Sequence, residues 1–334
     1  MRSDPRSRGT PWLALFATIG LFALILAGCS FFPSDAAQLG GKKYAVVVGI
    51  NDYINNNAGL PDLNYCVADA QGIAKMLSDA GWNTGSNQVV LITAKSNANE
   101  LINQYATKAK IKAAIQNAPS DADTFLFYFS GHGYLDPTSE TSYIVPSDCD
   151  NSPSNITSTS ISTSEFASWL ATVPATNKSV MLDSCDSGGF VNPGDSLDSA
   201  YDYTDLNTDT TYLQKTSSVT MLFSLGELLA KDIAAASDNP SDAPLVISAA
   251  GRDALSWEVG GSFSHGLFTY YILEAAQKGT SGYMNGDADQ DGVLSCLEAY
   301  HYAEVKLEAQ ANQFGYVPHI SGGLRDFALI DTRQ

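Results

Sequence analysis

The chain has 334 residues, 44% of them hydrophobic, with 18 Lys and Arg against 36 Asp and Glu and a net charge of −18. That length holds one large domain or two ordinary ones around a real core, not a tail or a linker. The charge argues against nucleic-acid binding, which needs a basic stripe where this chain only scatters its lysines, and suits cationic partners such as Ca2+ or Lys/Arg-rich peptides.

The first residues are a targeting segment rather than part of a fold. Arg2, Arg6 and Arg8 form a positive region, Pro11 to Gly28 is an almost unbroken apolar run, and Leu26-Ala27-Gly28-Cys29 closes it. This resembles a bacterial lipoprotein signal over residues 1–28 with its lipobox. The resemblance implies export, lipidation of Cys29 and membrane anchoring in the bacterial cell envelope. The alternative is an uncleaved anchor of about 18 residues, short for a span. Small residues followed by Cys have no use in a plain anchor, which favours the lipoprotein. Loss of residues 1–28 removes three arginines and one aspartate, leaving a net −20 and arginines only at Arg252, Arg325 and Arg333.

After a linker over residues 29–42, β-branched runs alternate with helical patterns, which predicts an α/β/α sandwich with a mostly parallel central sheet over residues 43–334. Tyr44 to Ile50 reads as a strand buried on both faces. Asp69 to Ala80 reads as a helix with Ile73, Met76, Leu77 and Ala80 on one side, stopped by Gly81. A strand at Val89 to Thr93, a helix at Lys108 to Asn117 and a strand at Thr124 to Phe129 follow. Ser162 to Glu165 form a capping box before Phe166, Trp169 and Leu170, and Lys178 to Leu182 is a fourth strand. Residues 191–240, rich in Asp, Ser, Thr and Asn, read as a long surface insertion. A strand at Leu245 to Ala249, a helix at Leu267 to Gln277, an acidic loop, a helix to about Gln310 and a last strand at Phe327 to Ile330 complete the chain.

Two strand ends carry the chemistry. One delivers Ser130-Gly131-His132-Gly133, the other Asp183-Ser184-Cys185-Asp186-Ser187-Gly188-Gly189. In a parallel sheet, ligands bind beyond the carboxyl ends of the strands, so the thiol and the imidazole can meet there. An imidazole supplies the base or the positive setting that a thiol needs to act as thiolate. The N–H groups of Gly133 and Cys185 are the oxyanion-hole candidates. Cys66, Cys149 and Cys296 form neither a C-x-x-C nor a zinc pattern and read as packing.

These motifs, 53 positions apart from His132 to Cys185, resemble the caspase-like cysteine peptidases, and among them the metacaspases. Tyr44 to Tyr53, Leu63 to Ala70, Val246 to Glu258 and Ser264 to Tyr271 resemble further segments of that family, so the likeness runs from Lys43 to Ile330. It implies a catalytic His132/Cys185 dyad. It also implies a pocket for Arg or Lys at P1 built from Asp69, Ser130 and Asp183, with Cys66 on its wall. Alternation along a strand separately puts Asp183 on the side of Cys185 and Ser130 on the side of His132. For Asp69 the alternative is a charge that only answers the helix dipole. Cleavage after Asp would need arginines clasping a carboxylate, and Asp186 stands beside the nucleophile where caspases carry Arg and metacaspases usually carry His. The extra negative charge is expected to raise the thiol pKa.

Asp287 to Glu298 fits a calcium loop of EF-hand type at every defined position: Asp287, Asp289, Asp291, the Val293 carbonyl, Ser295 and bidentate Glu298 as ligands, with Gly292 at the sharp turn. The alternative is a solvated acidic turn before a helix. No second loop and no entering helix accompany it, so the expected Ca2+ is a structural staple. The expectation is a monomeric, lipid-anchored cysteine endopeptidase acting on peptide or protein substrates with basic P1 residues, self-processing at Lys215 or Lys231 of the insertion. The rival is a catalytically silent, calcium-binding interaction scaffold of the same fold.

Overall fold

Tyr44 to Ile50 are all buried because helices cover both faces of the strand they form. The structure is a computed structural model and describes residues 41–54, 62–94, 105–136, 138–139, 141–150, 152–184, 212–214, 244–249, 256–259, 264–314, 318–322 and 326–333. The expected targeting segment with Cys29, the nucleophile candidate Cys185 and most of the 191–240 insertion lie outside them.

In chain order the elements are β1 (Lys42–Ile50), α1 (Cys66–Leu77), β2 (Gln88–Ala94), α2 (Lys108–Gln116), β3 (Ala122–Ser130), β4 (Gly133–Asp136), β5 (Thr141–Ile144), β6 (Ile161–Ser162), α3 (Thr163–Ala171) and β7 (Asn177–Asp183). There follow β8 (Tyr212–Gln214), β9 (Leu245–Ser248), β10 (Trp257–Val259), β11 (His265–Gly266), α4 (Leu267–Ala275), β12 (Val293–Ser295), α5 (Cys296–Phe314), β13 (His319–Gly322) and β14 (Ala328–Asp331). The central sheet runs β13-β9-β7-β3-β1-β2, parallel throughout except for β13, which pairs antiparallel with β9.

Period-two alternation divides its core in two. Tyr44, Val46, Val48, Phe125, Phe127, Phe129, Val180 and Leu182 face Ile111 and Ile115 of α2 and Phe166, Trp169 and Leu170 of α3. Ala45, Val47, Leu126, Tyr128, Met181 and Ile247 face Ile73 and Leu77 of α1, Phe268 and Ile272 of α4 and Tyr300 and Leu307 of α5. Two covered faces explain why these strands read as continuous apolar runs. The architecture is the expected α/β/α sandwich.

Three features depart from the sequence reading or add to it. α1 starts at Cys66, three residues earlier than the apolar face suggests, and continues past Leu77 into a π-helical turn (Ser78–Trp82), inside which Gly81 leaves helical geometry at φ +84°. Part of the expected surface insertion is a strand, since β8 pairs with β10. The last strand stays out of the central sheet and pairs antiparallel with β12, inside the acidic loop.

Strand order also indicates where a ligand crevice is expected. The chain leaves β1 for β2 on one side and returns to β3 on the other, so the order reverses between β1 and β3. A crevice opens beyond the carboxyl ends at such a switch point. Asn51 and Tyr53 follow β1, Ser130 and His132 close and follow β3, and Asp183 ends β7.

Candidate active site

His132 lies two residues beyond the end of β3, fully buried, in the Gly-His-Gly turn that enters β4. Its main-chain N–H donates to the Tyr53 hydroxyl at 2.8 Å, its carbonyl accepts from Val145 N–H at 3.1 Å, and its ring lies 5.0 Å from the Tyr53 ring. Ser130 is the last residue of its strand, so alternation stops there and does not extend to His132. The Ser130 hydroxyl instead donates to Asp69 Oδ2 at 2.7 Å, while His132 packs on Tyr53.

On the neighbouring strand, Asp183 is the register partner of Ser130. His132 and Cys185 therefore each follow one paired position by two residues. The side chain of Cys185 and the main-chain N–H expected from it lie outside the described residues, as does Asp186. Gly133, the other oxyanion candidate, is buried at the start of β4, opposite Ile144.

The expected pocket acids come together. Asp69 and Asp183 are both fully buried. Asp69 Oδ1 accepts from Gly266 N–H at 2.8 Å and lies 3.0 Å from His265 Nδ1. Asp183 Oδ1 accepts from the Ser256 hydroxyl at 2.5 Å, and its Oδ2 accepts from the Thr269 hydroxyl at 2.5 Å and the Thr269 N–H at 3.2 Å. Tyr128 Oη sits 2.5 Å from the same Thr269 hydroxyl. A Cβ placed on Gly266 would lie 2.3 Å from Asp183 Oδ2 and 3.0 Å from Asp69 Oδ2, so this glycine is the spacer between two carboxylates. Asp69 thus does more than answer the dipole of α1.

Sequence reading missed Tyr53, Ser256, Glu258, His265, Gly266 and Thr269 as site residues, although all lie within segments that carry the family likeness. Glu258 is the least expected. It is buried and accepts from Asn64 N–H at 3.0 Å, Tyr65 N–H at 2.8 Å and Cys66 Sγ at 3.4 Å. The residue before α1, Tyr65, makes no capping bond of its own, so a glutamate 193 positions away caps the helix that carries Asp69. Removing that carboxylate strands two part-buried N–H donors and the buried Cys66 thiol. Glu258→Ala is therefore expected to cost about 3 kcal/mol and Glu258→Gln, which keeps one acceptor, about 1 kcal/mol. Urea unfolding of the two variants measures the difference, and equal losses would remove Glu258 from this capping role.

Cys149 and Cys296 are buried, and burial pushes both thiols up, away from thiolate. Cys66 is buried against Glu258 beside the acid pair.

The acidic loop is a second cluster. One carboxylate oxygen from each of Asp287, Asp289 and Asp291 lies within 4.8 Å of the others. Asp287 accepts from Asp291 and Gly292 N–H, and Gly292 holds φ +87°. Glu298 folds back from α5 to accept from Ala288 N–H at 3.1 Å and Ser295 N–H at 2.9 Å. Burial raises the carboxyls of Asp287 and Glu298, and Arg333, two residues past the end of β14, reaches Asp291 at 3.5 Å. An all-oxygen donor set with a carboxylate at the closing position suits a hard cation of the size of Ca2+.

A mostly parallel α/β/α sandwich, with a buried histidine turn beyond β3 at the switch point and a buried aspartate ending the neighbouring β7, is a fold of the caspase type. The chain belongs to the caspase-domain family (Peptidase C14), whose model matches residues 42–320, and that family is one of cysteine peptidases. A search of the curated proteins finds no match. Among solved structures the chain is similar in fold to the protein GSU0716 from Geobacter sulfurreducens, with a TM-score of 0.52 at 19% identity over 84% of this chain and 93% of that one.

Proposed function

We propose that the protein is an active cysteine endopeptidase of metacaspase type that cleaves after Arg or Lys. The observation that carries this is the register pairing of Ser130 with Asp183 inside a caspase domain, which leads both motif residues off adjacent strand ends. The Cys185 thiolate attacks the scissile carbonyl carbon, and the N–H groups of Gly133 and Cys185 hold the oxyanion. The His132 imidazolium then gives its proton to the leaving amine. Water, deprotonated by His132, hydrolyses the thioester and regenerates the thiol.

The buried pair Asp69 and Asp183, with Ser130 donating to the first, supports a basic P1 preference, because two adjacent carboxylates favour a cation. His265, with its side chain 23% exposed, is the open flank of this cluster and the side from which a P1 side chain approaches. Lys215 and Lys231 in the insertion are the self-processing sites. Ca2+ sits in the acidic loop, held by Asp287, Asp289, Asp291, the Val293 carbonyl, Ser295 and Glu298, as a staple rather than a switch. No helix among the described residues is long and apolar enough to cross a membrane. Anchoring is assigned to a lipid on Cys29, which places the domain in a bacterial cell envelope.

The test uses fluorogenic peptides ending in Arg, Lys or Asp with wild-type protein, Cys185→Ala and His132→Ala. Wild type is expected to cleave the Arg and Lys peptides, and each variant to lose at least about 1,000-fold in kcat. Cleavage after Asp instead would remove the pocket while sparing the dyad. Silence on all three peptides, with Cys185 alkylated no faster than free cysteine, would overturn the peptidase reading in favour of a scaffold. Mass spectrometry of the mature protein reads lipidation at Cys29 and any cut after Lys215 or Lys231.

A further inference from the structure

We propose that Tyr53 is a positioning residue for the catalytic imidazole; this rests on the assignment of His132 to the dyad. A histidine in a Gly-His-Gly turn has no neighbouring Cβ to restrict the chain, so something outside the turn must hold it. Tyr53 holds it twice. Its hydroxyl accepts the His132 main-chain N–H at 2.8 Å, and its ring lies 5.0 Å from the imidazole with planes inclined by 37°. The phenol is only 4% exposed.

The approach depends on Gly131. A Cβ there would lie 3.1 Å from the Tyr53 hydroxyl and 2.7 Å from the Phe129 ring. The glycine before His132 is thus required for the tyrosine to reach over the turn. The two segments are also stitched to one third stretch. Ile54 N–H donates to the Ser147 carbonyl at 2.8 Å, and Val145 N–H donates to the His132 carbonyl at 3.1 Å. The chain after β1 therefore fixes both the backbone and the ring plane of the residue after β3, across the switch point of the sheet.

Tyr53→Phe keeps the ring and removes the hydroxyl acceptor, and Tyr53→Leu removes both. kcat on the Arg peptide is expected to fall about fivefold in the first and about 100-fold in the second, the scale of a catalytic group misplaced by about 1 Å. KM should stay within about twofold, since Tyr53 acts through His132 and not on the P1 side chain. A second readout needs no turnover. The His132 Cε1–H resonance, assigned by its loss in His132→Ala, should carry a ring-current displacement that Tyr53→Phe retains and Tyr53→Leu loses. An unmoved resonance in Tyr53→Leu, or a kcat within twofold of wild type, overturns the positioning role. A resonance that moves in a protein cleaving no peptide overturns the peptidase reading instead, and the catalytic meaning of the contact with it.

Discussion

Gly266→Ala is expected to lower stability by about 3 to 5 kcal/mol, a drop in Tm of roughly 6 to 10 °C for a domain of this size. The added methyl would sit 2.3 Å from Asp183 Oδ2. A long side chain would swing aside, but Asp183 is short and its two oxygens are held by Ser256 and Thr269. Moving it breaks charge-assisted hydrogen bonds in a buried site, and a displaced buried carboxylate is expensive. Pushing Gly266 outward instead lengthens its N–H contact with Asp69. Gly85→Ala is the control. Gly85 has φ +63° with nothing within 4 Å of the added carbon, so it carries only the cost of a left-handed conformation, about 1 kcal/mol. A Tm for Gly266→Ala no lower than that of Gly85→Ala would mean that the acid pair is not packed as described.

Saturating Ca2+ is expected to stabilise the protein by about 2.7 kcal/mol at 100 times its dissociation constant, roughly 5 °C in Tm. The effect should be global because the acidic loop is tied to the core through β14. Val293 to Ser295 pair with that strand, the Thr332 hydroxyl donates to the Gly292 carbonyl at 2.8 Å, and Trp82 Nε1–H donates to the Leu329 carbonyl at 2.8 Å. Trp82 is fully buried against Phe327, so its fluorescence reports release of β14. Drawing the loop carboxylates onto a cation tightens the strand that covers this tryptophan. Glu298→Gln removes the bidentate ligand and should abolish the shift, and Mg2+, which demands a smaller and more regular shell, should produce little of it. Calorimetry with and without Ca2+ decides the matter. An unchanged Tm in millimolar Ca2+ would leave the loop an acidic turn tied down by its own N–H groups and Arg333.

Much of this protein is legible in its residue order. Strands and helices of the central sandwich carry strong periodicity, because burial on two faces demands unbroken apolar runs such as Tyr44 to Ile50 and Thr124 to Phe129. The cap of α3 is equally local, with Ser162 Oγ accepting from Glu165 N–H at 3.1 Å. The short sheet of β4, β5 and β6 gives no such signal, since strands of two to four residues hold too few positions for a period to show.

The residue types of the candidate site were also there to read: His132 among glycines, Asp183 at a strand end, Asp69 near the start of a helix, and acids at the spacing of a calcium loop. These depend on short-range spacing, which a linear chain records directly. What only the tertiary structure decided is who meets whom. Glu258 caps a helix 193 positions earlier, His265 reaches Asp69 across 196, and Tyr53 reaches His132 across 79. No periodicity encodes such pairings: the first two join the small sheet of β10 and β11 to α1, and the third crosses the switch point between β1 and β3. The acidic surplus shows the same division. Its size argues against nucleic acid from composition alone, but only packing separates the two acids wedged around Gly266, and the buried Glu258, from the three gathered in the loop.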